Sequence, residues 1–253
     1  MPPKSRRYDL AKTRSALLSQ WRALIGYVET LTPSQLAQPS RLPGWSVADL
    51  LSPIAQSAGR VARCLAIPEP SRREVDLVSG IADSDGILPG VPDQSRQGAA
   101  RSIRVADEVG AAEIALTPVA HDRLVAAPWG SMRLTDFLAT QLVAAIVFAD
   151  SLTTEFPHDQ RALATVSRTF ADVLAGKAPG RSVELRIPPV IVIQCVTGAR
   201  HTRGTPPSVV QTDPLTWVRL AAGRLSWHDA LASGWLSASG ERSDLAGYLP
   251  LLS

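Results

Sequence analysis

The sequence is poor in cysteine, histidine and aromatic residues, and each scarcity excludes a class of protein. Two cysteines, Cys64 and Cys195, cannot build a disulfide framework or a four-cysteine zinc site. Aromatic residues make up 5% of the chain, which offers no evident stacking platform for nucleic-acid bases. The chain has four histidines, which are His121, His158, His201 and His228. No two of them have the close helical spacing of a metal site, so metal binding would need residues far apart in the sequence.

Long apolar runs and strong net charge are also missing. The longest apolar run, residues 142–149, is shorter than the roughly 18 residues that span a bilayer and predicts a buried helix. The net charge is only +3, and the basic residues near the start indicate a solvated helix face. We therefore expect no nucleic-acid partner and no membrane span. Because no signal-peptide apolar segment follows the basic start, the sequence predicts a cytoplasmic location.

The first half of the chain has helical periodicity. An apolar stripe through Leu17, Trp21, Leu24 and Val28 predicts one helix, and Ser46 predicts the N-cap of a second. Helical patterns return at 99–116 and 135–155, whereas 68–98 is a connection rich in proline and glycine. Four long helices predict a bundle, which we assign to residues 1–157.

After residues 156–159 the residue pattern changes from mainly helical to a mixture of helix and strand. A helix is predicted up to Gly176, and Val183, Leu185 and Ile187 then alternate with polar residues as in a half-buried strand. Further strands are predicted at 190–196, 208–212 and 235–239, with short helices among them. The fold class is therefore a helical bundle followed by a small α+β domain, residues 158–253.

A motif in the first half carries a family resemblance. The segment Gly44-Trp45-Ser46-Val47-Ala48-Asp49-Leu50-Leu51 resembles the motif that opens the second bundle helix in the DinB-like domain of mycothiol-dependent maleylpyruvate isomerases. The resemblance implies a four-helix bundle and an isomerase or transferase that uses zinc and mycothiol. It also implies metal ligands at three positions, which are occupied here by Pro53, Ala144 and Phe148. None of these side chains offers a lone pair to zinc, so we predict a vacant metal site and no cofactor.

The second half resembles the bacterial sterol-carrier-protein-like domain of actinobacterial proteins. The matching segments are Arg186-Ile187-Pro188-Pro189, Gln194-Cys195, residues 201–207, Thr212-Asp213-Pro214-Leu215-Thr216-Trp217 and Gly223-Arg224-Leu225-Ser226-Trp227. This resemblance implies a sheet covered by helices that can enclose an apolar cavity. Candidate walls of that cavity are Trp217, Trp227 and Trp235.

Other candidate site residues each have a structural alternative. Asp49 is expected to cap a helix rather than act in catalysis. His121 and Asp122 could meet Asp49 or Asp150 to hold a metal in a non-standard site, although loop histidines are commonly only solvated. The tryptophans Trp45 and Trp129 either pack the bundle end or wall a pocket.

In the second half, Cys195 is either a core residue or a thiol paired with His201. His201 and Arg203 are predicted to lie on a turn, which either only shapes the loop or presents these polar groups to a ligand. The function predicted from these residues is non-catalytic binding of an apolar or lipid-like small molecule, or of a protein partner. Two alternatives stay open at this point: a metal- and mycothiol-dependent isomerase or transferase, and a self-associating homo-oligomeric scaffold.

Overall fold

The computed structural model describes residues 6–82, 99–153, 155–198 and 208–252, with only the backbone for residues 82 and 99–104. The chain divides into two compact units. The helical unit is Tyr8–Ala162, and the sheet unit is Leu163–Ser253 together with the residues that precede Tyr8. His201 and Arg203 lie outside the described residues.

The helical unit is the predicted four-helix bundle. Its long helices are α1 (Leu10–Glu29), α3 (Val47–Ala66), α5 (Ala99–Leu116) and α6 (Leu134–Leu152), with two short helices, α2 (Pro33–Leu36) and α4 (Leu77–Ala82), in the connections. Helix α3 packs against α5 and α6, and α1 packs against the same two helices. Trp21 and Leu24 of the predicted apolar stripe are at most 1% exposed, because the stripe faces this core.

Helix α6 is the central helix of the bundle, and every one of its residues is buried. By length and composition it could also cross a membrane, with a mean hydropathy of 1.4, but 94% of that window is buried inside the structure. A helix that is buried on all sides is typical of the core of a large domain. Residues 142–149 therefore belong to a buried core helix, as the sequence predicts.

A β-hairpin interrupts the helical unit and was absent from the sequence prediction. Strands β1 (Leu124–Ala127) and β2 (Gly130–Arg133) pair antiparallel just before α6. Gly130 has a φ of +127° at the turn, a conformation that glycine adopts without steric cost. The hairpin places Arg133 directly before the first turn of α6.

The sheet unit contains all but the first three residues of α7 (Gln160–Lys177). Its strands are β3 (Val183–Ile187), β4 (Ile191–Cys195), β5 (Ser208–Thr212) and β6 (Leu236–Ser239). The strand order is β4-β3-β5-β6, in which β3 and β5 are parallel and the other neighbours antiparallel. Helices α8 (Pro214–Ala221) and α9 (Trp227–Ala232) and a 3-10 turn at Ala246–Tyr248 complete the unit. The alternation in β3 buries Val183, Leu185 and Ile187 completely, as predicted.

Candidate functional site in the helical bundle

The start of α3 carries the Trp45-Ser46 part of the motif as a helix cap. The Ser46 hydroxyl accepts a hydrogen bond from the Asp49 amide (3.2 Å), and the Asp49 carboxylate accepts one from the Ser46 amide (2.9 Å). This reciprocal pair is a capping box, and it gives Asp49 the structural role that the sequence favours. Trp45 is 8% exposed and packs at this end of the bundle.

Asp150, near the C-terminal end of α6, is bound to Arg41 in the loop before α3. The Arg41 guanidinium donates to the Asp150 carboxylate (2.8 Å) and to the Asp150 carbonyl (3.0 Å). The Arg41 amide also donates to the Ser151 carbonyl (2.9 Å). A cation that satisfies late carbonyls of a helix also interacts favourably with the helix dipole. Asp150 thus anchors the loop to the helix.

A second contact fixes how α3 lies along α6. The Ser57 hydroxyl donates to the Gln141 side-chain oxygen (2.9 Å), and the Gln141 amide donates to the Thr140 hydroxyl (3.0 Å). All three side chains are buried. Ser57 lies in the middle of α3 and opposite the middle of α6, whereas Arg41, before α3, lies against the C-terminal end of α6. The two helices therefore run antiparallel.

The antiparallel arrangement places Pro53 of α3 opposite the stretch of α6 that contains the other two predicted metal-ligand positions. Pro53 lies one turn before Ser57 in α3, and Ala144 lies about one turn after Gln141 in α6. Phe148 lies a further turn along α6. All three residues are buried, with Ala144 3% and Phe148 1% exposed.

The side chains at these three positions do not fit a metal ion. Zinc is held in proteins by thiolate, imidazole or carboxylate groups, whereas Pro53, Ala144 and Phe148 present a pyrrolidine ring, a methyl group and a phenyl ring. In the described part of the chain no group of three or more His, Cys, Asp or Glu residues could hold a metal.

The non-standard metal site built on His121 and Asp122 is also not assembled. His121 is exposed, and Asp122 accepts a hydrogen bond from the Thr135 amide (2.9 Å) at the start of α6. Thr135 and Asp150 stand roughly 22 Å apart along the helix, at a rise of about 1.5 Å per residue. Asp49 is hydrogen-bonded in the N-terminal cap of α3, and Asp150 binds Arg41 near the C-terminal end of α6. The acids predicted to share this site are therefore each bound to a different partner.

The described histidines serve separate places in the structure. His158 is 8% exposed, and its Nδ1 lies 3.3 Å from the Gln20 side-chain amide of α1. The Gln20 side-chain oxygen also accepts from the Asp159 amide, which ties the end of the helical unit to α1. His228 is 91% exposed on α9. None of the described histidines belongs to a group of three or more His, Cys, Asp or Glu residues that could hold a metal.

Asp136, in the first turn of α6, is a site candidate that the sequence prediction missed. It is 9% exposed, and burial together with the nearby charge of Asp122 raises its pKa to about 6, against the opposing effects of Arg133 and Arg73. Asp76 at the start of α4 raises it further. An acidic residue inside an apolar helix is the sequence signal that could have pointed to it.

Trp129, in the turn of the β-hairpin, packs close to this end of α6. Its ring centroid lies 6.4 Å from that of Phe137, and the Arg60 guanidinium of α3 stands 5.8 Å over its ring. Its indole nitrogen is buried without a hydrogen-bond partner in the described residues. The geometry is that of a packed cation–π contact.

An open pocket of about 340 Å³ lies beside the β-hairpin. Ser131 of β2 lines it together with Glu74, whose carboxylate accepts from the Ser131 amide (3.0 Å). That hydrogen bond lowers the pKa of Glu74. The residues predicted for a pocket from the sequence are not part of its lining.

In the sheet unit, Cys195 is a core residue. It is fully buried at the end of β4, opposite Val183, and burial raises the pKa of its thiol to about 11. Burial likewise raises the pKa of Cys64 in α3. Both thiols therefore stay protonated at neutral pH, which is unsuited to a nucleophile.

The three predicted cavity walls of the sheet unit differ in environment. Trp217 is fully buried, and its indole nitrogen donates to the Ser167 carbonyl of α7 (3.1 Å). Trp227 is half-buried, and Trp235 is 52% exposed. Trp217 thus fills the core between α8 and α7, whereas Trp235 faces solvent.

Comparison with known proteins matches each half of the chain to a family. Residues 17–147 match the family model described as the mycothiol maleylpyruvate isomerase N-terminal domain, and residues 159–251 match the model described as the bacterial SCP ortholog. None of the curated proteins compared with the chain matches it.

Two solved structures resemble nearly the whole chain. They are the mycothiol-dependent maleylpyruvate isomerase and a histidine-to-alanine mutant of it. Each covers 94% of this chain and 95% of its own, with a TM-score of 0.61 and 14% sequence identity. This likeness establishes a shared fold, and the first family model covers more than half of the sequence. The chain belongs to the family of the mycothiol maleylpyruvate isomerase N-terminal domain, followed by a domain that matches the bacterial SCP ortholog family.

Proposed function

We propose that this chain is a mycothiol-linked isomerase or transferase, which binds mycothiol or an adduct of mycothiol with a small electrophile. The observation that carries the proposal is the family match over residues 17–147. The SCP-type match over residues 159–251 follows it in the same chain, and the solved isomerase has the same fold over 94% of this chain. We keep the predicted cytoplasmic location as part of this proposal.

The chemistry of the chain's own sulfur atoms supports dependence on an external thiol. The thiolate form is the nucleophile in sulfur chemistry. Because burial raises the pKa of both Cys64 and Cys195, neither supplies a thiolate near neutral pH. In a thiol-dependent reaction the attacking sulfur would therefore come from the bound small thiol. The Cys195–His201 pair is not part of this proposal.

The non-catalytic binding function that the sequence favours has less support than this alternative. It depends on an apolar cavity walled by Trp217, Trp227 and Trp235. Trp217 is instead packed and hydrogen-bonded in the core, and Trp235 is largely exposed. The family match over residues 17–147 and the fold likeness to the solved isomerase support the thiol-dependent isomerase instead.

Calorimetric titration of the full chain with mycothiol tests the proposal. We expect saturable one-site binding, and weaker binding of N-acetylcysteine, which has the thiol but lacks the sugar and inositol groups. Incubation with maleylpyruvate and mycothiol should then give product faster than mycothiol alone. Omission of the thiol is the matched control and should remove the acceleration.

Two results would contradict the proposal. One is the absence of mycothiol binding at millimolar concentration by a chain with a native circular dichroism spectrum. The other is equal binding of N-acetylcysteine and mycothiol, because a dedicated site would recognise more than the thiol. Tight binding of a fatty acyl probe together with no mycothiol binding would favour the carrier function instead.

A further inference from the structure

We propose that Pro53, Ala144 and Phe148 form an apolar layer between α3 and α6 in place of a metal centre. The inference also has a consequence for the mechanism, and that consequence rests on the proposed function. Any mycothiol chemistry of this chain would proceed without a metal ion at that layer. The layer itself is defined by these three residues and is independent of the ligand.

The register of the two helices places the residues of the layer together. The Ser57–Gln141 hydrogen bond sets one level, and the contacts of Arg41 with Asp150 set the direction of the helices. One turn back from Ser57 is Pro53, which therefore lies opposite the residues about one turn beyond Gln141. The three positions that the family resemblance implies therefore lie on the facing sides of α3 and α6.

The layer is filled rather than open. Phe148 is among the largest fully buried side chains of the described residues, and Ala144 is 3% exposed. A phenyl ring, 1% exposed, stands at a position where the resemblance implies a metal ligand. Close packing of this kind leaves no room for an ion without displacement of side chains.

Polar groups near the layer are committed to other partners. Ser57 and Gln141, on one side, are hydrogen-bonded to each other and neutral. Asp150, on the other side, binds Arg41 through both its carboxylate and its carbonyl. A carboxylate neutralised by a guanidinium is a poor substitute for a missing metal ligand.

Pro53 also bears on whether the layer can be converted. Proline has no amide hydrogen and cannot make the hydrogen bond that a helical residue donates to the preceding turn. Histidine at this position would return that hydrogen bond and offer an imidazole. The substitution Pro53→His is therefore compatible with the helix at its backbone.

The test compares the untagged wild-type chain with the triple variant Pro53→His, Ala144→Glu and Phe148→His. We expect elemental analysis to give well below one zinc per wild-type chain and about one per chain of the triple variant. Co²⁺ should give the visible absorption of a tetrahedral site only with the triple variant. The matched control is the double variant Pro53→His and Ala144→Glu, which should bind zinc more weakly than the triple variant.

Stoichiometric zinc in the wild-type chain, removed by a chelator, would overturn the inference. A folded triple variant that binds neither Zn²⁺ nor Co²⁺ would overturn it too, because the three positions would then not converge. If the triple variant fails to fold, the wild-type zinc content decides alone. A wild-type chain that holds no zinc and binds no mycothiol would contradict the proposed function but would still support the apolar layer.

Discussion

The two ends of α6 each bury an aspartate, and the structure treats the two differently. At the C-terminal end, the Asp150 side chain is 3% exposed and has an arginine at 2.8 Å. At the N-terminal end, Asp136 is 9% exposed, and Arg133 beside it pairs with Asp122 at 3.6 Å instead. In the described part of the chain no group donates a hydrogen bond to the Asp136 carboxyl group.

The contrast shows that burial alone does not decide what an acid contributes. A buried charge is tolerated when a partner and hydrogen bonds replace water, as Arg41 does for Asp150. Without such a partner the acid responds by binding its proton more tightly, which is why the pKa of Asp136 is about 6. The C-terminal end of α6 is therefore held by an ion pair, whereas at the N-terminal end the contribution of Asp136 to stability depends on pH.

Removal of the partner at the C-terminal end should have the largest effect. We expect Arg41→Met to lower the free energy of unfolding by about 2–4 kcal/mol, because it leaves the Asp150 carboxylate buried and uncompensated. Urea unfolding followed by circular dichroism measures this loss. The methionine keeps an unbranched side chain, so that packing changes little.

The double variant Arg41→Met and Asp150→Asn supplies the control. With the charge removed, it should lose less stability than the two single variants added together. If the losses simply add, the two side chains do not stabilise each other and the contrast between the helix ends disappears.

At the N-terminal end, Asp136→Asn should stabilise the protein, and the effect should depend on pH. The folded state raises the pKa of Asp136 from 3.8 to about 6, so the stabilisation by the proton is fully present below about pH 3.8. It is lost as the pH rises through about 6. At pH 8 we expect Asp136→Asn to raise the free energy of unfolding by about 1–3 kcal/mol, and at pH 4 by much less.

Urea unfolding of both proteins from about pH 4 to pH 8 checks this sign. Asp107→Asn is the control, because Asp107 is exposed on α5, and it should change stability by no more than about 0.5 kcal/mol at each pH. An Asp136→Asn variant that is less stable than the wild type at pH 8 would mean that the carboxylate has a partner there.

The local features of this fold could be predicted from the sequence. The Ser46–Asp49 capping box, the stripe of α1 and the alternation of β3 depend on residues a few positions apart. The β-hairpin was missed because two strands of four residues, Leu124–Ala127 and Gly130–Arg133, are too short to show a clear alternation.

Features of the candidate site could be predicted from the sequence only where the chemical nature of a single residue is sufficient. Pro53 excludes a metal ligand whatever surrounds it. The role of Asp150 depends on Arg41, which is 109 positions away in the sequence. The pKa of Asp136 depends on burial and on Asp122, which tertiary structure brings together. Such pairings follow from packing and not from spacing.

The middle of α6 offers a neutral counterpart to its charged ends. Ser57→Ala would leave the Gln141 oxygen buried without the Ser57 hydroxyl that donates to it, at a cost of about 1–2 kcal/mol in the free energy of unfolding. Replacement of both residues, as Ser57→Ala with Gln141→Leu, should recover part of that loss, because no unsatisfied polar atom then faces Ser57. Urea unfolding of the two variants beside the wild type measures both effects. The loss expected for Ser57→Ala is smaller than that for Arg41→Met, because no charged group is left buried. A double variant less stable than Ser57→Ala would show that Gln141 contributes mainly through its hydrogen bond to Thr140.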